Sequence, residues 1–310
     1  MFEKIITMFT SNSRNNRLFQ ILIILAIIMI IFNYKTSFTP TGKEGFTQSE
    51  RYTLRANDDS YDDFYSQIYD KLMLPKEKTA GIISKMIAMT VPSKSYSTFL
   101  DVGSGTGNLV SALRSSGYKA YGIDKSQAMV DQSKQLIPDA PIKCGDVLDT
   151  ITYDRGAFTH IICTGMTIYE ITDKSQFFQN SYFWLQNNGY LILELVDRST
   201  FDTVIPSGNP GILDGQVNKY SETRITDTLI DFPDFTYHST FKFNNNGTTV
   251  IHKETFTDSC TKNIRENERV LEIDNPNDIL KLAVQYGFII KGKASMESPG
   301  EYLYILERLN

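Results

Sequence analysis

At 310 residues and a net charge of -5, the chain has room for one large α/β domain plus an extension. Apolar residues at 41% and charged residues at 22% exclude bulk disorder, and the absence of a concentrated Lys/Arg face argues against a nucleic-acid partner. Cys144, Cys163 and Cys260 have no CxxC spacing and His160, His238 and His252 are scattered, so no disulfide framework and no metal site are expected, and a reducing compartment fits best.

Residues 1–17 form a short tail. From Leu18 the sequence reads LFQILIILAIIMIIF, with no charge between Leu18 and Tyr34. As a helix this run is about 26 Å long, against a hydrocarbon core of about 30 Å, so a transmembrane helix over 18–34 is expected. A cleaved signal peptide would be followed by small residues, whereas Asn33, Tyr34, Lys35 and Phe38 follow here. A core helix would keep a polar face, which this run lacks. Basic residues balance on the two sides, Lys4, Arg14 and Arg17 before and Lys35, Lys43 and Arg51 after, so charge does not set the orientation. Residues 35–60, with Pro40, Gly42 and Gly45 among Thr, Ser and Asp, read as a linker without a core of its own.

The main domain is expected over 61–310. Residues 61–74, YDDFYSQIYDKLML, place Tyr61, Tyr65, Ile68, Tyr69 and Leu72 at spacings of three and four, the mark of an amphipathic helix. A second helix, about Lys76 to Met89, ends before Pro92. Then comes TFLDVGSGTGNLVSALRSSGYKAYGID over residues 98–124. Phe99 to Val102 is a short apolar strand, and Asn108 to Ser115 has helical spacing, so Gly103, Gly105 and Gly107 lie on the turn between them. Such a turn brings backbone close to a ligand because no Cβ intervenes, and the helix start points free N–H groups at an anionic group. Ala120 to Asp124 is a second strand ending in a carboxylate, placed to accept ribose hydroxyls. A dinucleotide fingerprint would need a glycine where Asn108 stands, which disfavours NAD.

The stretch Asp101-Val102-Gly103-Ser104-Gly105-Thr106-Gly107 resembles the D-x-G-x-G-x-G motif of the class I S-adenosylmethionine-dependent methyltransferases. The resemblance covers about residues 61–310. It implies S-adenosyl-L-methionine as cofactor, bound by Asp101, Gly103, Ser104, Gly105 and Gly107, with Asp124 on the ribose, Met129 packed on the adenine, and Asp146 beside Val147 on the adenine amino group. Phe158 to Cys163 resembles the fourth strand, with Thr164, Gly165 and Met166 at its cofactor-facing end. Residues 184–189 and Tyr190 to Val196 resemble the following loop and fifth strand. Where many relatives carry an acid before the fourth strand, this chain has Thr159, and His160 beside it reads as structural. The family's F-Y-x-x-x-Y-D segment, matched from Phe64 to Asp70, implies Tyr65 or Tyr69 near the sulfonium, where an aromatic face favours a cation.

Ile205 to Gly215 is a loop, rich in Pro and Gly, at the substrate entrance. Phe235 to Phe243 and Thr248 to Phe256 alternate around Asn245-Asn246-Gly247 and read as a hairpin, with Asn263 to Ile273 a third strand. That hairpin turn is preferred over the glycosylation sequon it also spells. Residues 205–273 are therefore expected as a β-rich substrate cap inserted in the domain. Asn275-Pro276 opens a helix to about Tyr286, and strands Phe288 to Ser295 and Tyr302 to Arg308 close the chain in the manner of the family's terminal hairpin.

The expected fold is thus α/β: a doubly wound, Rossmann-like, seven-stranded sheet with an antiparallel last strand, a small antiparallel β insert and an N-terminal transmembrane helix. The expected activity is methyl transfer from S-adenosylmethionine to an unidentified small molecule, or to a lipid or protein at the membrane; the alternative is a cofactor-binding scaffold without catalysis. As the cofactor is made in the cytosol, the domain is expected on that side. Tyr65, Tyr69 and Glu170 are the candidate catalytic groups, with Glu194, His238 and His252 as further unranked bases.

Overall fold

Two sheets organise the chain. The computed structural model describes residues 50–139, 141–208, 224–244 and 247–309. The tail at 1–17, the membrane span at 18–34 and the linker up to residue 49 lie outside the described residues. Among the described residues no helix is long and apolar enough to cross a membrane. Residues 48–310 form one compact unit.

A strand β1 (Tyr52–Ala56) leads into helices α1 (Asp63–Met73) and α2 (Pro75–Thr90). Strands and helices then alternate: β2 (Thr98–Val102), α3 (Asn108–Ser115), β3 (Lys119–Asp124), α4 (Gln127–Leu136), β4 (Ile142–Cys144) and β5 (Phe158–Cys163). The short α5 (Thr167–Glu170), α6 (Lys174–Trp184) and the long β6 (Leu185–Val196) follow. Four strands form the insert: β7 (Asp227–Asp231), β8 (Phe235–Phe243), β9 (Thr249–Asp258) and β10 (Ile264–Glu272). Helix α7 (Pro276–Gln285) and strands β11 (Phe288–Ser295) and β12 (Glu301–Arg308) return to the main sheet.

The main sheet has seven strands in the order β11-β12-β6-β5-β2-β3-β4. Strands β2 to β6 run parallel, and β12 runs against both of its neighbours. Helices cover both faces of a parallel sheet, so its central strands are apolar throughout rather than alternating. Phe99, Leu100, Ile161, Ile162, Leu191, Ile192 and Leu193 are accordingly buried completely. Since β2 pairs with β3 on one side and β5 on the other, the strand order reverses at β2, and a crevice opens beyond the carboxyl ends of those strands.

The structure differs from the sequence reading in three places. The end of the expected linker is strand β1, which pairs parallel to β10 with Tyr52 opposite Ile264 and Ala56 opposite Glu268. Tyr52 and Leu54 are both exposed, so this edge strand carries no buried apolar alternation to announce it. With β1 and the equally unexpected β7, the cap is a five-stranded sheet, β1-β10-β9-β8-β7, rather than a three-stranded one. The expected loop at 184–189 is drawn into β6 as a bulge: the partners of Phe158 and His160 on β6 are Leu185 and Tyr190, and Asn188 takes a φ of +61° within the extra residues.

The inner face of the cap sheet is polar at its centre. Glu254 on β9 is fully buried and accepts hydrogen bonds from Tyr65 Oη at 2.9 Å, Tyr237 Oη at 2.7 Å and Arg269 Nη2 at 2.7 Å. Burial by itself would push the Glu254 carboxyl up, but the charge of Arg269, with His252 and the two phenols, holds it below the ordinary value. Arg265 on β10 clasps Asp62, the N-cap of α1, at 2.8 and 2.9 Å. Removing one member of a buried ion pair strands the other charge, so Glu254→Ala is expected to cost about 3–5 kcal/mol in urea unfolding, and a cost below about 1 kcal/mol would contradict the network. The folded-state pKa being depressed, this stabilisation is present above the ordinary Glu pKa and is lost as pH falls through the folded value, so wild type and variant should converge in acid.

Candidate functional site

The carboxyl ends of β2, β3, β4 and β5 open on one cavity of about 1290 Å³, as bounded by the described residues. Its floor is the bend after β2. Gly103, Gly105 and Gly107 have φ of +67°, +53° and +82°, a region that costs an ordinary L-residue about 1–2 kcal/mol. The bend is also crowded: a Cβ on Gly103 would lie 2.6 Å from Thr167 Oγ1, whereas the corresponding direction from Gly105 is bounded only by Tyr69, at 3.8 Å. Gly107 stands behind the bend and does not line the cavity; a Cβ there would meet Ile142 Cδ1 at 2.6 Å.

Asp124 ends β3 beside this bend. Its Oδ2 accepts the Gly105 N–H at 2.7 Å and its Oδ1 the Ser126 N–H at 2.9 Å. Burial raises the Asp124 carboxyl, and the two amides partly offset that rise. Asp101, buried within β2, is pushed well above the usual carboxylate range by burial and then by the charge of Asp124. Asp146, half-exposed after β4, accepts the Leu148 N–H at 2.9 Å and lies 3.6 Å from Lys125 Nζ. Met129, Val147 and Thr164 line the same cavity, as does Ser104, whose Oγ is buried and has no hydrogen-bond partner among the described residues. Nine of the ten residues expected to hold the cofactor therefore face one space, and Gly107 shapes the bend from behind.

The candidate catalytic groups separate. Tyr65 is fully buried between Glu254 and Arg269 and does not line the cavity. Tyr69 lines it, and burial pushes its phenol up to about 12. Glu170 also lines it, accepting the Tyr61 hydroxyl at 2.7 Å. Glu194 is buried at the end of β6, where it accepts the Gly165 N–H at 2.9 Å and pairs with Lys78, which also reaches Glu301 at 2.9 Å. His238 pairs with Asp227 at the rim of the cap. His252 lines the cavity, but burial lowers its pKa to about 3, and it stacks on Phe241 with ring centroids 4.1 Å apart. His160 is buried against Phe99, and burial takes its pKa to about 4, so it is a neutral core group.

Two functional contacts escaped the sequence reading. Asp70, in the last turn of α1, accepts hydrogen bonds from Thr106 Oγ1 at 2.6 Å and Asn108 Nδ2 at 3.1 Å, locking that helix onto the glycine bend. Its signal was present as the acid directly after Tyr69, next to the aromatic stripe. Arg269 had no local signal, since it alternates with half-buried and exposed residues on a strand and its partners come from β9 and α1.

The polar rim fits an adenosyl group: carboxylates stand at the ends of β3 and beyond β4, and at Gly165 nothing lies within 4 Å of where a Cβ would point. A hydrogen bond to a charged group contributes about 1.5–3 kcal/mol, and each 1.4 kcal/mol is tenfold in affinity. Asp124→Asn, which keeps the shape and removes the charge, is therefore expected to weaken S-adenosylmethionine binding by roughly ten- to a hundredfold in calorimetry. A change under threefold with an unaltered circular-dichroism spectrum would contradict the ribose assignment.

Residues 100–193 match the sequence profile of the family described as "Methyltransferase domain". No curated protein matches the chain. Among solved structures, the chain is similar to an S-adenosylmethionine-dependent methyltransferase from Clostridium acetobutylicum, with 18% identity over 80% of this chain and 99% of that one and a TM-score of 0.59. The CcbJ methyltransferase of Streptomyces caelestis aligns with 13% identity over 81% and 98%, and a TM-score of 0.59. CalS10 of Micromonospora echinaspora, an amino pentose methyltransferase solved with S-adenosylmethionine bound, aligns with 16% identity over 75% and 90%, and a TM-score of 0.52. At these identities the structural likenesses establish the fold. The match over residues 100–193 is thus to a methyltransferase domain, on a fold shared with these methyltransferases.

Proposed function

We propose that the chain is a membrane-anchored enzyme that transfers a methyl group from S-adenosylmethionine to an amine nitrogen on a small molecule, or on a lipid or protein at the membrane surface, with its catalytic domain in the cytosol. The observation that carries this reading is the size and lining of one cavity. At about 1290 Å³ it exceeds the roughly 300–1,000 Å³ of an ordinary single-ligand pocket, leaving room for an acceptor beside the cofactor. In this reading the Gly103 to Gly107 bend, Asp124, Met129 and Asp146 hold the cofactor, and the cap sheet with α1 walls the acceptor side. The amine is favoured because CalS10 is described as an amino pentose methyltransferase. The anchor rests on the uncharged run from Leu18 to Tyr34.

Bound S-adenosylmethionine supplies a methyl group already activated as a sulfonium. The protein's task is then alignment and a dry site, and holding two reactants in line is worth roughly 7–11 kcal/mol, more than a single general base at about 10² to 10⁴ in rate. This agrees with a cavity whose one histidine, His252, is held neutral. The test uses carbonate-washed membranes carrying the full chain, incubated with cell extract and methyl-tritiated cofactor. Base-stable label is expected in an extract component while the chain stays in the pellet. Cofactor binding with no label in any component would contradict the enzymatic reading in favour of a scaffold, and release of the chain by carbonate would contradict the anchor.

A further inference from the structure

Buried charges are ordinarily paired, because an unpaired one loses its hydration without compensation. Around the acceptor side of the cavity this holds for Arg269, whose Nη2 donates to Glu254 Oε2 at 2.7 Å, His252 Nδ1 at 3.0 Å and Tyr65 Oη at 3.1 Å. Glu170 differs, a half-buried carboxylate on the cavity wall. This carboxylate ends α5, just past Gly165 and Met166, and lines the cavity, yet among the described residues it forms no ion pair. Among the described residues, the side chain that hydrogen-bonds to it is Tyr61, whose hydroxyl donates to Oε1 at 2.7 Å. The Tyr61 ring in turn carries the Arg269 guanidinium, 4.9 Å from its centroid.

We propose that Glu170 is the group that receives a cationic nitrogen at the acceptor end of the cavity, and that Arg269 is a positioning residue that holds Glu170 in place through Tyr61. The proposal rests on the methyltransferase reading and names the residues that select its acceptor. The groups facing Glu170 are Arg269 from β10, Tyr61 and Asp58 from the segment before α1, Tyr69 from α1 and Asp124 from the end of β3. Burial raises the Glu170 carboxyl; Arg269 and the Tyr61 hydroxyl oppose that rise, while Asp58 and Asp124 add to it. The acceptor's ammonium gives one proton to the Glu170 carboxylate, and the freed nitrogen lone pair forms the N–C bond as the methyl carbon's bond to sulfur breaks and leaves its electron pair on sulfur.

Sinefungin tests this without an identified acceptor, because it carries an amine-bearing carbon in place of the methylated sulfur and so projects an ammonium toward the acceptor side. Its binding to the full chain in detergent is measured by calorimetry beside S-adenosylhomocysteine and S-adenosylmethionine, from pH 5 to 9. Wild type is expected to prefer sinefungin over S-adenosylhomocysteine by about tenfold, and Glu170→Gln to erase that preference while both natural ligands stay within about twofold. The preference requires ionised Glu170, so it is present above the Glu170 pKa and fades as pH falls through it. Without Arg269 that pKa rises, so the fading moves to higher pH. Because Arg269→Gln leaves Glu254 buried and unpaired, the double variant Arg269→Gln/Glu254→Gln, which removes both charges, gives the second reading of the same shift. An equal loss of sinefungin and S-adenosylmethionine in Glu170→Gln would assign Glu170 to the sulfonium and overturn the proposal, as would no loss at all. An unmoved pH dependence in both Arg269 variants would overturn the positioning role. A wild-type chain that binds none of the three ligands would instead refute the cofactor.

Discussion

The 2.7 Å bond from the Gly105 amide to Asp124 ties the bend after β2 to the end of β3, and the site is arranged around it. A glycine bend alone is a loop with many conformations. Bonded to the carboxylate of the neighbouring strand, it becomes a rigid edge with a defined opening. The bond exists only because β2 and β3 run parallel and in register, with Val102 opposite Ile123, so that both strands end at the same level. Asp124 also caps the turn into α4 through Ser126. The sheet, the bend and the acid are thus one mechanical unit, and everything else is fitted against it.

Helix α1 is the principal part so fitted, and it is pinned at both ends. Ser126 Oγ donates to the Tyr61 carbonyl at 2.5 Å, Asp62 is held by Arg265 of the cap, and Asp70 takes the side chains of Thr106 and Asn108 from the bend. Between these pins Tyr65 is buried in the cap's polar centre while Tyr69 faces the cavity. One helix therefore contacts both sheets, which couples the cap to the glycine bend through hydrogen bonds rather than apolar packing alone. The pair of Arg269 and Glu254 takes two charges out of water, a cost that their 2.7 Å contact and the surrounding hydroxyls offset.

Much of this was legible in the sequence where local pattern decides structure. The helix from Asn108 to Ser115 falls where apolar spacing puts it, the strand from Phe158 to Cys163 where the family resemblance implies it, and the glycines of the bend announce themselves because their backbone angles admit little else. What stayed hidden depends on pairing across long distances. Strand β1 is defined by backbone bonds to β10, more than two hundred residues away, and its exposed Tyr52 and Leu54 give no amphipathic signal. The polar centre of the cap breaks the rule that alternating strands bury apolar residues, since Arg265, Asn267 and Arg269 occupy the buried positions of β10. The bulge in β6 is hidden for a related reason: Asn188 and Gly189 spell a turn, and only the partner strands on either side draw it into the ladder.

In the proposed function the cavity takes an adenosyl thioether or sulfonium rather than a dinucleotide: Asn108 stands where a dinucleotide turn needs a glycine, and Asp70 holds its side-chain amide. Thermal denaturation of the full chain in detergent, with S-adenosylhomocysteine and NADH added separately, compares the two directly. A ligand that binds only the folded state at a hundred times its Kd stabilises by about 2.7 kcal/mol. S-adenosylhomocysteine is expected to raise Tm clearly and NADH to leave it unmoved; a rise with NADH alone would contradict the proposed cofactor.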